Sequence, residues 1–352
     1  MQTPEAVMVY GAGGHTGGFV VDELVRRGLA PVLAGRDAER LAGVASRYPG
    51  LDVRAARVDD STALRAALDG VAVVVNCAGP FLDTARPLAG AAIAAGAHYL
   101  DVTAEQPAVQ QLYEELDAPA RAAGVAVVPA MAFYGGLADL LVTAALDGER
   151  DADAVEVAVG LDHWWPTAGT RVTGERNTAT RVVVRGGRLV PLADPAPTGR
   201  WPFPAPLGEQ PVVRLPFSEV LTLTRHLAVG ELTSYLTSGP LEELRDERTP
   251  PPAGGERSPQ RFVVDVAVRR GPTISRLAVA GQDIYAVSAP ILAEGVVRLL
   301  DGRHRGAGAL APAEAFDAAD VLAALEAHPA GLTTAVPADL PADLSADLRH
   351  GR

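Results

Sequence analysis

The residues of this chain best suited to chemistry are a set of spaced glycines, one placed arginine, and scattered tyrosine, histidine and carboxylate side chains. Gly11, Gly13, Gly14 and Gly17, with His15 and Thr16 among them, follow the apolar run from Ala6 to Tyr10. They precede the helix-spaced Phe19, Val20, Leu24 and Val25. A strand, a glycine turn and a helix in this order make an anion cradle. Gly11 allows the tight turn, Gly13 or Gly14 lets the backbone approach a pyrophosphate, and Gly17 lets helix and strand pack closely. The unpaired N–H groups of the helix start then face the phosphates. About 20 residues on, where an acid would bond a ribose 2′-hydroxyl, the chain carries Arg36, with Arg40 one helical turn later. A guanidinium there can grip a 2′-phosphate in a bidentate, charge-assisted way, so the pattern favours NADP(H) over NAD(H).

Further groups extend this cradle. Asp59 and Asp60 close the third predicted strand and can border the adenine; Asp60 can equally cap a helix. Asn76 to Phe81 ends the fourth strand, and Ala78, Gly79 and Pro80 suit a wall beside the cofactor's ribose and nicotinamide. Asn76 holds either a backbone kink or a ribose hydroxyl. Asp101, Thr103 and Glu105 leave the fifth strand toward the same crevice, to orient substrate or cofactor or to cap the next helix. Tyr134 follows the sixth strand, on the nicotinamide side. Beyond it, His163, Trp164, Arg171, His226 and Tyr285 are within reach of a substrate. Tyr134, Tyr285, His163 and His226 are the candidate proton donors, and Thr103, Glu105, Trp164 and Arg171 the candidate substrate contacts. The sequence has no lysine. That excludes Schiff-base chemistry, a P-loop lysine and a Tyr-x-x-x-Lys dyad.

The elements that must position these groups read in two styles. Strands at 6–10, 30–34, 52–58, 71–77, 98–102 and 125–129 alternate with helices, and several are almost wholly apolar, as strands covered on both faces must be. This predicts an α/β fold: a six-stranded doubly wound Rossmann domain over 1–135, with its crevice at the C-terminal strand ends. From 136 to 285 a linking helix gives way to period-two runs (Val155, Val157, Val159, Leu161; Phe262, Val264, Val266, Val268). These predict a second α/β domain on a mixed or antiparallel sheet, for substrate or oligomerisation. Two Pro/Gly-rich stretches, Pro191 to Pro211 and Arg248 to Pro259, read as irregular loops, and the aromatic residues of the first could cover the pocket. Residues 286–328 supply helices that return to the first domain, with Ser288 as N-cap. The segment 329–352, with three Ala-Asp-Leu repeats, reads as a low-complexity tail, disordered or docked on a partner in a homodimer.

Composition narrows the partners. A chain of 352 residues with 48% hydrophobic and 21% charged residues can bury a sizeable core. A net charge of -12 argues against nucleic acid or an anionic membrane and leaves a small-molecule substrate. The single Cys77 excludes an internal disulfide and a cysteine-based metal site; no metal is expected. A strand within the first ten residues, no signal peptide and no apolar run of spanning length lead to the expectation of a cytoplasmic protein.

Gly11 to Gly17, Leu33 to Asp37, Asn76 to Phe81, Tyr99 to Glu105 and Pro129 to Asp139 together resemble the saccharopine dehydrogenase-like NADP-binding oxidoreductases, a group related to trans-acting enoyl reductases. The resemblance continues in Gly281 to Ser288 and Gly308 to Phe316. It implies NADP(H) binding and hydride transfer to an electron-poor C=C, C=N or C=O. The alternatives are a non-catalytic NADP(H)-binding sensor or scaffold, and an opine-type reductive condensation.

Overall fold

The computed structural model describes residues 6–253, 255–329 and 331–335. The chain first alternates strand and helix: β1 (Ala6–Tyr10), α1 (His15–Arg26), β2 (Val32–Gly35), α2 (Ala38–Ala45), β3 (Val53–Ala55), α3 (Ser61–Ala67), β4 (Val71–Asn76), α4 (Phe81–Ala95), β5 (His98–Asp101), α5 (Gln106–Ala123), β6 (Ala126–Val128) and α6 (Gly135–Ala145). The middle of the chain gives β7 (Asp151–Leu161), α7 (Ala168–Arg176), β8 (Val182–Arg185), β9 (Arg188–Pro191), β10 (Thr198–Pro202), β11 (Glu209–Arg214), α8 (Glu219–His226), β12 (Ala228–Thr237), α9 (Ser238–Arg245), β13 (Arg261–Arg270) and β14 (Thr273–Gln282). It closes with α10 (Ser288–Leu300), β15 (Gly308–Ala309), α11 (Pro312–Ala315), α12 (Ala318–Glu326) and β16 (Thr333–Ala335).

The first sheet is all parallel, in the order β15-β6-β5-β4-β1-β2-β3. Its order reverses between β1 and β4, which opens a crevice at their C-terminal ends. Successive residues of β1 bury on opposite faces. Val7 and Val9 join Val20 and Leu24 of α1 and Ile291 and Val296 of α10; Met8 and Tyr10 join Leu64 of α3 and Leu88 of α4. The sequence predicts six strands here and the structure has seven. The extra one, β15, is two residues long and is made after the second sheet is complete. Two residues carry no readable periodicity.

The second sheet has nine strands in the main order β10-β11-β12-β7-β13-β14-β16, with β8 pairing β12 and β9 pairing β8. Only the β12–β7 pair is parallel, so the sheet is mixed. Val155, Val157, Val159 and Leu161 of β7, with Phe262, Val264 and Val266 of β13, bury one face against helices such as α6 and α8. The opposite face holds Ala158, Tyr235 and Val263, and it corrects one sequence reading. Pro191 to Pro211 is not wholly an irregular loop: β10 lies within it and hairpins with β11, and its aromatic residues are turned into that face while Pro206, Leu207, Gln210 and Pro211 line a separate cavity. Trp201 is fully buried on that face, its indole N–H donating to Asp265 Oδ2 at 2.9 Å, and Arg276 pairs with the same carboxylate. The prolines mask the strand in sequence, while burial of Trp201 and Phe203 drives its docking.

Thr333–Ala335 of the predicted tail adds to β14 as an edge strand, and the Ala-Asp-Leu repeats lie outside the described residues. No helix among the described residues is long and apolar enough to cross a membrane.

Candidate functional site

The glycine turn leaves β1 and enters α1 through a close-packed bend. Gly11 has φ +88° and its N–H donates to Ala34 O at 2.8 Å. A Cβ there would lie 2.9 Å from Ala78 N, and one on Gly13 would lie 2.9 Å from Arg40 Cβ. A Cβ on Gly17 would lie 2.1 Å from Gly11 O, so only glycine lets α1 start this close to the strand. Gly14 precedes α1 without capping it by a side chain. The amides of His15, Thr16 and Gly17 therefore lack an acceptor from their own helix. A side-chain-free bend aiming free N–H groups at the crevice fits a pyrophosphate.

The next strand ends at the ribose position. Arg36 is exposed and, among the described residues, has no hydrogen-bond or ion-pair partner. Arg40 pairs loosely with Asp37 at 3.3 Å, and Asp37 caps α2. Asp59 is paired with Arg57 at 2.8 Å on the surface, while Asp60 caps α3 through the amides of Thr62 and Ala63. A guanidinium that no acid pairs with among the described residues fits a 2′-phosphate rather than a bare ribose diol.

The wall past β4 is built by side chains that shape it from beneath. Asn76 is fully buried: its Oδ1 accepts from Ala78 N at 3.0 Å and its Nδ2 donates to Tyr99 Oη at 3.0 Å, so it holds the backbone of the turn. Glu105 caps α4 from a distance, accepting from Phe81 N at 2.8 Å and Leu82 N at 3.2 Å just past Pro80. Thr103 is buried and accepts from Glu105 N, and its carbonyl accepts from Ser218 Oγ. Asp101 is buried with its oxygens accepting from Thr103 N, Ala130 N and Tyr99 Oη; burial pushes its carboxyl up to about 6.

Beside this wall lies a cavity of about 210 Å³ between the strand ends of the first sheet and the start of the second domain. Thr16, Cys77, Gly79 and Glu105 line it from below, and Thr170 and Thr173 of α7 from above. Tyr134, Trp164, Arg181, Phe217 and Tyr285 close its sides. The Tyr285 hydroxyl accepts from Trp164 Nε1 at 3.0 Å and lies 2.9 Å from Thr170 Oγ1. Burial raises its pKa above the ordinary phenol value, against the pull of those partners. Tyr134 stacks on Phe217 at 4.2 Å between ring centroids, its hydroxyl buried and without a partner, and burial holds its pKa well above 10. The His15 ring meets Tyr285 edge-on at 5.4 Å; its Nε2 is buried and unpartnered, and burial lowers its pKa below the usual imidazole value.

Of the sequence candidates, Thr16, Gly79, Glu105, Tyr134, Trp164 and Tyr285 thus meet at one cavity. Of the candidate proton donors and substrate contacts, four lie outside it: Thr103, buried beneath the wall, and His163, Arg171 and His226. His163 is half exposed, bonded to Glu243 at 2.8 Å and stacked on Trp165. Arg171 donates to the carbonyls of Leu244, Asp246 and Thr249 and so pins α7 to the loop after α9. His226 ends α8 and pairs at 2.8 Å with the fully buried Asp139 of α6, whose other oxygen accepts from Ala313 N. Burial alone would lower the pKa of His226, but the Asp139 carboxylate raises it above the usual imidazole value. Because the folded value is the higher one, the pair's stabilisation is complete below the unfolded value of about 6.5 and fades as pH rises through the folded value. His226→Ala is expected to cost about 3 kcal/mol at pH 6, by leaving a buried carboxylate short of a partner. Urea denaturation at pH 6 and pH 9 checks this: the gap between variant and wild type must narrow at the higher pH.

Sequence reasoning missed Arg181, Phe217, Thr170 and Thr173. The arginine precedes β8, next to a run of valines that reads as strand core, and the threonines sit in a helix with no buried residue. Only their neighbours in three dimensions mark them. Among the described residues no group of three or more His, Cys, Asp and Glu could hold a metal ion.

A seven-stranded parallel sheet with a glycine bend at its switch point and an unpaired arginine one strand over defines a dinucleotide-binding Rossmann protein. Residues 7–128 match the saccharopine dehydrogenase NADP-binding domain. The lipid droplet localized protein of Caenorhabditis elegans is 32% identical over 146 residues, 38% of this chain and 34% of that one. The human saccharopine dehydrogenase-like oxidoreductase is 27% identical over 231 residues, 57% of this chain and 54% of that one. The matches span between a third and just over half of the length of these curated relatives. The saccharopine dehydrogenase (L-Glu forming) of Saccharomyces cerevisiae, solved in its apo form, shares the fold with a TM-score of 0.66 at 12% identity. That likeness covers 94% of this chain and 100% of the yeast one.

Proposed function

We propose that this protein is an NADPH-dependent reductase whose substrate enters the cavity between the two sheets. The reading is carried by one observation: residues of the cofactor turn and wall (Thr16, Cys77, Gly79) and two half-buried tyrosines, Tyr134 just before α6 and Tyr285 just before α10, line the same cavity. NADPH, when bound, supplies a hydride from C4 of its nicotinamide to an electron-poor double bond. The chain's own work is to bind, orient and protonate. The free amides of α1 hold the pyrophosphate and Arg36 the 2′-phosphate. Gly79 leaves room for the nicotinamide face, and the apolar side chains around the cavity exclude water. With lysine absent, the Tyr285 hydroxyl, joined to Thr170 at 2.9 Å, is the proton donor the geometry favours. A cavity of about 210 Å³ is smaller than ligand pockets of roughly 300–1,000 Å³, so only the reacting end of a substrate enters.

The test begins with the cofactor. Calorimetry is expected to show NADPH binding at least about tenfold tighter than NADH, and Arg36→Ala is expected to erase that preference by weakening NADPH alone. A protein that ignores NADPH, or prefers NADH with Arg36 intact, sinks the reading. Loss of 340-nm absorbance with a panel of enones, imines and oxo acids then separates an enzyme from a sensor that binds cofactor without turnover.

A further inference from the structure

The cavity's charges, taken together, favour one kind of substrate over another. Among the residues that line it there is one guanidinium, that of Arg181, and one carboxylate, that of Glu105. Glu105 is committed, with one oxygen accepting from Phe81 N and the other from Leu82 N. Both of its oxygens already hold a helix cap, so an ammonium group would have to share them with backbone N–H donors.

Arg181 is the opposite case. Its guanidinium lies over the Phe217 ring, 4.9 Å from the centroid, and donates to a single protein acceptor, Pro216 O at 2.6 Å. No carboxylate is in ion-pair contact with it among the described residues. The closest acid by its electrostatic influence, Glu219, is buried and turned to accept from Phe217 N at 2.9 Å. Burial lowers the pKa of Arg181, and the charge of Glu219 pulls it the other way without an ion-pair contact. Phe217 carries the Tyr134 ring as well, and the Tyr134 hydroxyl has no partner although it is buried. A stripped cation and an orphan hydroxyl on one aromatic wall are a subsite waiting for an acceptor. Around it the cavity is apolar, through Val102, Phe133, Trp164, Leu244 and Ile284.

We infer that the Phe217 wall, with Arg181 and Tyr134, binds a single anionic group of the substrate, and that the substrate is an apolar monoanion such as a small aliphatic 2-oxo acid, not an amino acid. This rests on the reductase reading only for what happens after binding; the subsite itself is a binding claim.

The experiment uses the full chain saturated with NADP+ and titrates three probes of equal carbon-chain length by calorimetry: hexanoate, hexanamide and norleucine. Hexanoate is expected to bind, with hexanamide and norleucine each at least about tenfold weaker, because one loses the charge and the other buries an unpaired ammonium. Arg181→Met is expected to weaken hexanoate about tenfold while leaving hexanamide and NADP+ unchanged, and Tyr134→Phe to weaken hexanoate by a smaller factor. Should Arg181→Met lose NADP+ binding too, the wild-type order of the three probes decides alone. Equal binding of hexanoate and hexanamide, or tighter binding of norleucine, overturns the inference. Turnover of neutral enones with no carboxylate binding would overturn it and spare the reductase reading; carboxylate binding without any NADPH oxidation across oxo acids would do the reverse.

Discussion

Gly17→Ala is expected to weaken NADPH binding about 100-fold or more and to cost about 3 kcal/mol of stability. The new Cβ would lie 2.1 Å from Gly11 O and 2.8 Å from Gly11 C, and both of those atoms are backbone. Backbone cannot rotate out of the way as a side chain can, so α1 must slide off the bend. The amides of His15, Thr16 and Gly17 then no longer converge on one point, and each bond to a phosphate oxygen that is lost is a charge-assisted one. Gly18→Ala makes the control, because a Cβ there meets only Arg47 Nη2 at 3.9 Å. Calorimetric titration with NADPH and urea denaturation on both variants check the pair. If Gly17→Ala binds as the wild type does, the bend is not a phosphate site.

Tyr285→Phe is expected to slow single-turnover NADPH oxidation about 100-fold while leaving NADPH affinity unchanged. The phenyl ring still fills the space edge-on to His15, so what is lost is the hydroxyl that joins Trp164 Nε1, Thr167 N and Thr170 Oγ1. Bonds received from two N–H donors steady the phenolate left after proton transfer, which is the property a donor needs at a site without lysine. Since burial raises the Tyr285 pKa above 10, the wild-type rate is expected to stay level from pH 6 to pH 9 on this account. Thr170→Val separates direct donation from relay: a fall as large as that of Tyr285→Phe places the threonine hydroxyl between tyrosine and substrate. Wild-type rates in both variants would assign the proton to water or to the substrate itself.

The cofactor half was legible because its requirements are local. A bend that tolerates no Cβ must be glycine, and a buried parallel strand must be apolar on both faces, so Gly11 to Gly17 and Val71 to Val75 declare themselves in a single stretch of chain. Arg36 stands out for the same reason, as a charge where an acid would normally sit. The second sheet and the cavity beneath it resisted reading because their logic is long-range. Arg171, His163 and His226 have the chemistry of site residues, yet Arg171 spends its guanidinium on backbone carbonyls and His226 locks α8 to α6. Asn76 shapes the wall from beneath without lining the cavity, and Glu105 lines it with both oxygens committed to a helix start; nothing in their immediate sequence distinguishes these roles. Trp201 was hidden by prolines that suggest a loop, though its partner Asp265 is 64 residues away. Arg181 matters only because Phe217 and Tyr134 arrive beside it from distant segments.

The way β15 and α10 rejoin the first sheet has a practical corollary. The nucleotide module is discontinuous: its edge strand and one of its covering helices are synthesised only after residue 285. A truncation ending near residue 150 would strip α10 from α1 and bare an apolar flank, so it should aggregate rather than yield a small cofactor-binding fragment. The intervening stretch, by contrast, carries β7 to β14 of the second sheet as one continuous run between those two parts of the chain.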